Sequence, residues 1–237
     1  MTGPLVEARG LDKSFHFTPV LRGVTFAVSA GSAALIVGRN GVGKSTLVRI
    51  LAGLAAPSAG DALLFGYPSR SLDSGDRRRV GLVTHQSFLY PNLSARENLE
   101  FYAALYRLNP LPGDIDGWIA RVGLAAAADD RVRAFSRGME QRLGLARALM
   151  PLPDVLLMDE PFAALDNEGA AIVTRLLAEA IDRGCAIVLT AHEPFALPGI
   201  PIDVYELVRG RLEGPRAFPP RDHPETGAGA TPSALAR

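Results

Sequence analysis

Two short runs carry residue types that packing alone does not explain. Gly38-Arg39-Asn40-Gly41-Val42-Gly43-Lys44-Ser45 has the spacing G-x-x-x-x-G-K-S, after a strand-like run and before a helix-like one. Its glycines let the backbone wrap closely round phosphate oxygens. A helix N-terminus behind them adds unpaired N–H groups and partial positive charge. Lys44 is expected to meet the β- and γ-phosphates, and the Ser45 hydroxyl to ligate Mg²⁺. This pattern implies nucleotide binding, and by itself it does not separate an ATPase from a kinase or a GTPase. The second run, Val155-Leu156-Leu157-Met158-Asp159-Glu160, sets two carboxylates at the end of an apolar strand. Burying a carboxylate is costly without a partner. Asp159 is suited to hold Mg²⁺, through water, and Glu160 to orient and deprotonate an attacking water. An acid beside the water site points to hydrolysis rather than transfer to a second substrate.

The elements that must position these residues alternate between strand-like and helix-like. Ala33–Val37, Val155–Met158 and Ala186–Thr190 are nearly continuous apolar runs, the look of parallel strands covered on both faces. Polar residues gather past their carboxyl ends, where open α/β sheets hold ligands. A helix is expected from Lys44 to about Leu54. Val20–Val28 and Asp61–Phe65 read as a small antiparallel sheet beside the parallel one. Ser94-Ala95-Arg96-Glu97 fits a capping box, and Leu99, Tyr102, Ala103 and Tyr106 then share one apolar face. The fold class is therefore α/β, with a mainly parallel sheet flanked by helices.

The composition narrows the function classes. Over 237 residues, Lys plus Arg and Asp plus Glu balance at 25 each, so the chain as a whole carries no footprint of a nucleic-acid binder. Cys185 is the single cysteine, which excludes an internal disulfide, and its apolar neighbours suit a buried structural thiol. The start, Met1-Thr2-Gly3-Pro4, lacks the basic and apolar runs of a signal peptide. No apolar run approaches the ~20 residues of a membrane span. A cytoplasmic protein is expected, with membrane association only through partners.

With both motifs in place, the order of the remaining ones resembles ABC transporter nucleotide-binding subunits from about residue 5 to residue 213. Phe135-Ser136-Arg137-Gly138-Met139-Glu140-Gln141-Arg142 looks like the ABC signature, the most diagnostic element. Gln86 stands at the Q-loop glutamine, Ala164-Leu165-Asp166 at the D-loop, His192 at the switch histidine, and Phe15 at the aromatic that stacks on adenine. The resemblance implies a P-loop NTPase core over 1–86 and 142–212, and an inserted helical subdomain with the signature over 87–141. The stretch 213–237, rich in Pro, Gly and Ala, is expected to be a flexible tail. ATP and Mg²⁺ are the implied cofactors. Gly38 through Thr46 (with Arg39, Asn40, Gly41, Val42, Gly43, Lys44 and Ser45) form the implied phosphate-binding set. Ser45, Gln86 and Asp159 form the metal set, and Glu160, His192, Gln86 and Lys44 the catalytic set. Ser136 and Gly138, in the signature, are implied to face a second copy's nucleotide and Asp166 to link the two nucleotide sites, because in this family two domains sandwich two ATPs beneath transmembrane permease subunits. Such a protein is a homodimer when ATP-bound, peripheral on the cytoplasmic face of the cell membrane.

The chain departs from the family pattern in two places. The signature reads S-R-G-M where S-G-G-Q is commonest, and Pro194, Pro198 and Pro201 interrupt a segment that is usually helical. The pair His85-Gln86, the run Leu93–Tyr102 and the F-S-R-G-M form resemble the haem-exporter ATPases of cytochrome c maturation. Exporter subunits for drugs, lipids or polysaccharides share these features and stay open as alternatives. A soluble ABC ATPase of DNA repair or translation is a further alternative, disfavoured because the chain has neither a long coiled-coil insertion nor tandem ATPase domains. A non-hydrolysing regulatory binder fits poorly with Lys44, Asp159, Glu160 and His192 together.

Overall fold

The computed structural model describes residues 3–109, 111 and 113–217. Strands β1 (Val6–Phe15) and β2 (Thr18–Val28) form a hairpin, and β3 (Ala33–Val37) leads through the glycine loop into helix α1 (Lys44–Leu51). Strands β4 (Ala59–Leu64) and β5 (Tyr67–Pro68) return to the hairpin, giving an antiparallel sheet of order β2-β1-β4-β5. This is the expected small sheet, enlarged by two further strands, β1 and the two-residue β5. Three register shifts interrupt β1 between Ala8 and Ser14, which blurs the period-2 alternation that marks a strand in sequence. Helix α1 stops at Leu51, three residues short of the expected end. There the chain reverses, and the Leu54 N–H returns to the Arg49 carbonyl at 2.9 Å.

The short helix α2 (Ser74–Arg78) precedes β6 (Val80–Val83). Helices α3 (Ala95–Leu105) and α4 (Ile115–Arg121) make the inserted segment, and α5 (Arg137–Leu149) leads to β7 (Val155–Met158). Then come α6 (Asn167–Asp182), β8 (Ala186–Ala191), β9 (Ile202–Val208) and β10 (Arg211–Ala217). The second sheet has the order β10-β9-β3-β8-β7-β6, all parallel except the edge strand β10. Its central strands are covered on both faces, as their unbroken apolar runs require. Alternate residues of the same strands feed two cores. Leu35, Leu156, Met158, Ile187 and Leu189 pack with Trp118, Leu143 and Leu176, while Ile36, Val155, Leu157 and Val188 pack with Val6, Val24 and Leu47.

Two expected boundaries move. Helix α5 runs unbroken across 141/142, because nothing from Gly138 to Leu149 breaks the helix and Leu143 through Leu149 are buried without interruption. One helix therefore carries the signature at its N-terminal end and packs into the core along its C-terminal half. Residues 213–217, expected to begin a flexible tail, form the last five of the seven residues of β10. A register shift between Glu213 and Arg216 absorbs Gly214 and Pro215 on the sheet's edge, where a missing N–H breaks no ladder. The rest of the expected tail, 218–237, and Met1 and Thr2 lie outside the described residues. As the prolines require, 194–201 holds no helix.

Candidate functional site

Parallel register brings the carboxyl ends of four strands to one edge of the sheet. Val37 lies beside Ala191, Met158 beside Leu189 and Val83 beside Met158, so Gly38, Thr84–Gln86, Asp159–Glu160 and His192 all emerge there. The loop after β3 curls tightly. Gly43 adopts φ 118°, and a Cβ there would meet Val20 Cγ1 at 2.9 Å, so both backbone and space demand glycine. No side chain caps α1, which leaves the N–H groups of its first turn free for an anion.

Lys44 is only 4% exposed, with its ammonium donating to the Gly38 carbonyl at 2.7 Å and lying 3.1 Å from Glu160 Oε1. A buried ammonium without such partners would be costly, and these ligands are ones that phosphate oxygens can replace. Phe15, Asn40, Gly41, Gly43, Lys44, Ser45, Thr46, His85 and Glu160 line one cleft of about 590 Å³. Ser45, Gln86 and Asp159 share an adjoining cleft of about 200 Å³, a hydroxyl, an amide and a carboxylate that together fit a hard divalent cation. Asp159 is 5% exposed and accepts from Thr190 Oγ1 at 2.8 Å.

Other predicted residues lie outside these two clefts in the single chain. His192 is exposed, 4.0 Å from Glu193, and lines a separate cleft of about 340 Å³ with Gly38 and Arg39. Ser136 caps α5, its hydroxyl accepting from the Met139 N–H at 3.2 Å. Gly138 packs where a Cβ would meet the Ala164 carbonyl at 2.9 Å, so the signature helix abuts the loop before α6. Asp166 caps α6 through the Gly169 N–H at 2.8 Å. Val42 packs toward the core, and Phe15 stands at the cleft's rim with Lys13 Nζ 4.8 Å from its ring centroid.

The sequence reading gave no role to three residues at this centre. His85 Nε2 comes within 3.9 Å of Glu160 Oε2. Gln141 Nε2 donates to the Glu160 carbonyl at 3.2 Å, and Thr190 Oγ1 accepts from the Glu160 N–H at 3.1 Å. Thr190 is the penultimate residue of β8, and in an apolar run it reads as filler. Its one signal in the sequence is a lone hydroxyl near the end of an apolar run.

Comparison with known proteins matches residues 21–163 to the ABC transporter family. The chain is 39% identical over 200 residues to the "Cytochrome c biogenesis ATP-binding export protein CcmA" of Xanthomonas campestris pv. campestris, covering 83% of this chain and 91% of that one. The protein of the same name from Salmonella typhi is 36% identical over 198 residues, covering 82% and 92%. A solved "ATP binding subunit of ABC transporter" superposes with a TM-score of 0.80 at 26% identity, covering 90% of each chain. Among the described residues no helix is long and apolar enough to cross a membrane. The glycine loop, the acidic strand end, the capped signature helix and these relatives agree: this chain belongs to the ABC transporter family, as an ATP-binding subunit that hydrolyses ATP.

Proposed function

We propose that this subunit powers a haem-exporter-type ABC transporter of cytochrome c biogenesis. It works as an ATP-bound homodimer beneath separate permease subunits, on the cytoplasmic face of the cell membrane. The CcmA relatives, matched along nearly their whole length, support the transporter type. The observation that carries the hydrolytic role is the placement of the Lys44 ammonium and the Glu160 carboxylate in one cleft with the glycine loop.

Phe15 offers its ring to adenine at the rim, and the loop N–H groups and Lys44 hold the phosphates. As Lys44 turns to phosphate oxygens it leaves Glu160, whose carboxylate is then free to accept a proton from the attacking water. Ser45, Asp159 and Gln86 would hold Mg²⁺, which when bound neutralises charge on the β- and γ-phosphate oxygens. Ser136 and Gly138 open a helix whose N-terminal dipole suits the γ-phosphate of the second copy's nucleotide. On closure of the dimer His192, which lines a cleft with Gly38 and Arg39, contacts the γ-phosphate, and Asp166 links the two nucleotide sites.

The test is a pull-down of tagged Glu160→Gln protein from native membranes with ATP. Membrane subunits of a cytochrome c maturation system support the reading. A different permease replaces the cargo and keeps the mechanism, and recovery of no membrane protein overturns the transporter role.

A further inference from the structure

Glu160 has φ 52°, a left-handed backbone that is uncommon for a residue with a side chain. Such a residue persists only where its surroundings hold it, and strain of this kind gathers at functional sites. Here two side chains grip its peptide groups: Gln141 Nε2 at the carbonyl (3.2 Å) and Thr190 Oγ1 at the N–H (3.1 Å). The Thr190 hydroxyl has one proton to give, and gives it to Asp159 Oδ1 at 2.8 Å. Its lone pairs then remain for the Glu160 N–H. One fully buried hydroxyl on β8 thus joins the side chain of Asp159 to the backbone of Glu160 at the end of β7.

We propose that Thr190 is a positioning residue for ATP hydrolysis. Its hydroxyl fixes the Asp159 carboxylate and the Glu160 main chain relative to each other, so that metal-side and water-side oxygens keep one spacing. This rests on the reading of Glu160 as the base and Asp159 as a metal ligand. The rival account makes Thr190 a β-branched filler of a buried strand, and valine would fill that place equally well.

Thr190→Val and Thr190→Ser separate the two, in steady-state ATPase kinetics and in titration of a fluorescent ATP analogue without divalent cation. Thr190→Val is expected to lower kcat by about 10- to 100-fold, the usual effect of removing a group that orients a metal ligand. Its metal-free analogue affinity stays within about twofold of the unmodified chain, since the lost bond orients groups that act after binding. Thr190→Ser, which keeps the hydroxyl and loses the methyl, recovers most of kcat. The inference is overturned by a Thr190→Val chain with unchanged kcat, by serine failing to rescue, or by analogue affinity falling as far as kcat. Glu160→Gln measured alongside keeps the two readings apart. If it hydrolyses ATP normally, the base assignment fails; if it is inactive while Thr190→Val is unimpaired, only the role of Thr190 fails.

Discussion

Lys44 and Glu160 hold each other at 3.1 Å while both face the phosphate cleft. Each therefore carries a charge whose final partner is the substrate, and their substitutions must act differently. In Glu160→Gln the amide keeps shape and hydrogen bonding toward Lys44 but cannot take a proton. A general base contributes about 10²- to 10⁴-fold, so kcat should fall by at least about 100-fold with nucleotide affinity retained. Phosphate-release assays beside equilibrium binding check this, and a fall in both together would place Glu160 in binding instead. Cys185 is the opposite case, a titratable group with no chemistry to do. Burial pushes its thiol up to about 12, because a thiolate in an apolar surround loses its hydration. The protonated form then prevails at every pH below that value, and thiolate is negligible at pH 8. Iodoacetamide should leave the folded chain unlabelled at pH 8 and label it once denatured, as mass spectrometry would read.

The elements owe their positions to short capping and packing rules of very unequal visibility in the sequence. The capping box at α3 is complete: Ser94 Oγ accepts from the Glu97 N–H at 3.1 Å, and the Glu97 carboxylate accepts from the Ser94 N–H at 2.8 Å. Ser94 is buried at 7% exposure, so its loss leaves an unpaired donor. Ser94→Ala should cost about 1 kcal/mol, a melting shift of about 2–4 °C for a chain of this size. Scanning calorimetry checks it, and an unchanged melting temperature would mean that the box adds nothing. Ser94 and Glu97 were legible because two residues and their spacing suffice to define the motif. The central strands were legible because strands covered on both faces must be apolar throughout. What stayed hidden depends on geometry that spacing does not encode. β1 is broken by register shifts, and β10 carries a Gly-Pro pair that only an edge strand tolerates. The grip of Gln141 and Thr190 on Glu160 joins residues 19 and 30 positions away along the chain. The continuity of α5 was written in its residues, but a boundary drawn at the end of the signature cut through it.

At the scale of the whole molecule, one surface ties the nucleotide site to the outside. Phe88, Tyr90, Phe101 and Leu105 are exposed large apolar residues at the junction of the Gln86 loop with α3. Tyr90 and Phe101 meet edge-to-face at 4.8 Å, and Phe101 meets Tyr102 at 5.3 Å. This patch is anchored inward. Asn98 clasps Tyr90 through its N–H at 2.7 Å and its carbonyl at 3.1 Å, and the Tyr102 hydroxyl donates to the Phe88 carbonyl. Arg147 of the signature helix lies 5.6 Å from the Phe88 ring centroid and 5.5 Å from that of Tyr102. A partner pressing on these rings therefore acts at once on the loop two residues from Gln86 and on the helix that Ser136 caps. Exposed aromatic clusters of this kind mark protein interaction sites, and a permease subunit is the partner the family provides. Phe101→Glu tests the assignment without touching the nucleotide clefts, because Phe101 lines none of them. Burying one phenylalanine contributes about 1.5–3 kcal/mol, so the variant should hold its membrane partners at least about tenfold more weakly. Its ATPase activity in isolation should match that of the unmodified chain. Undiminished recovery of membrane subunits with Phe101→Glu would move the docking surface elsewhere. Loss of isolated ATPase activity would mean that the patch serves the catalytic fold itself and not a partner.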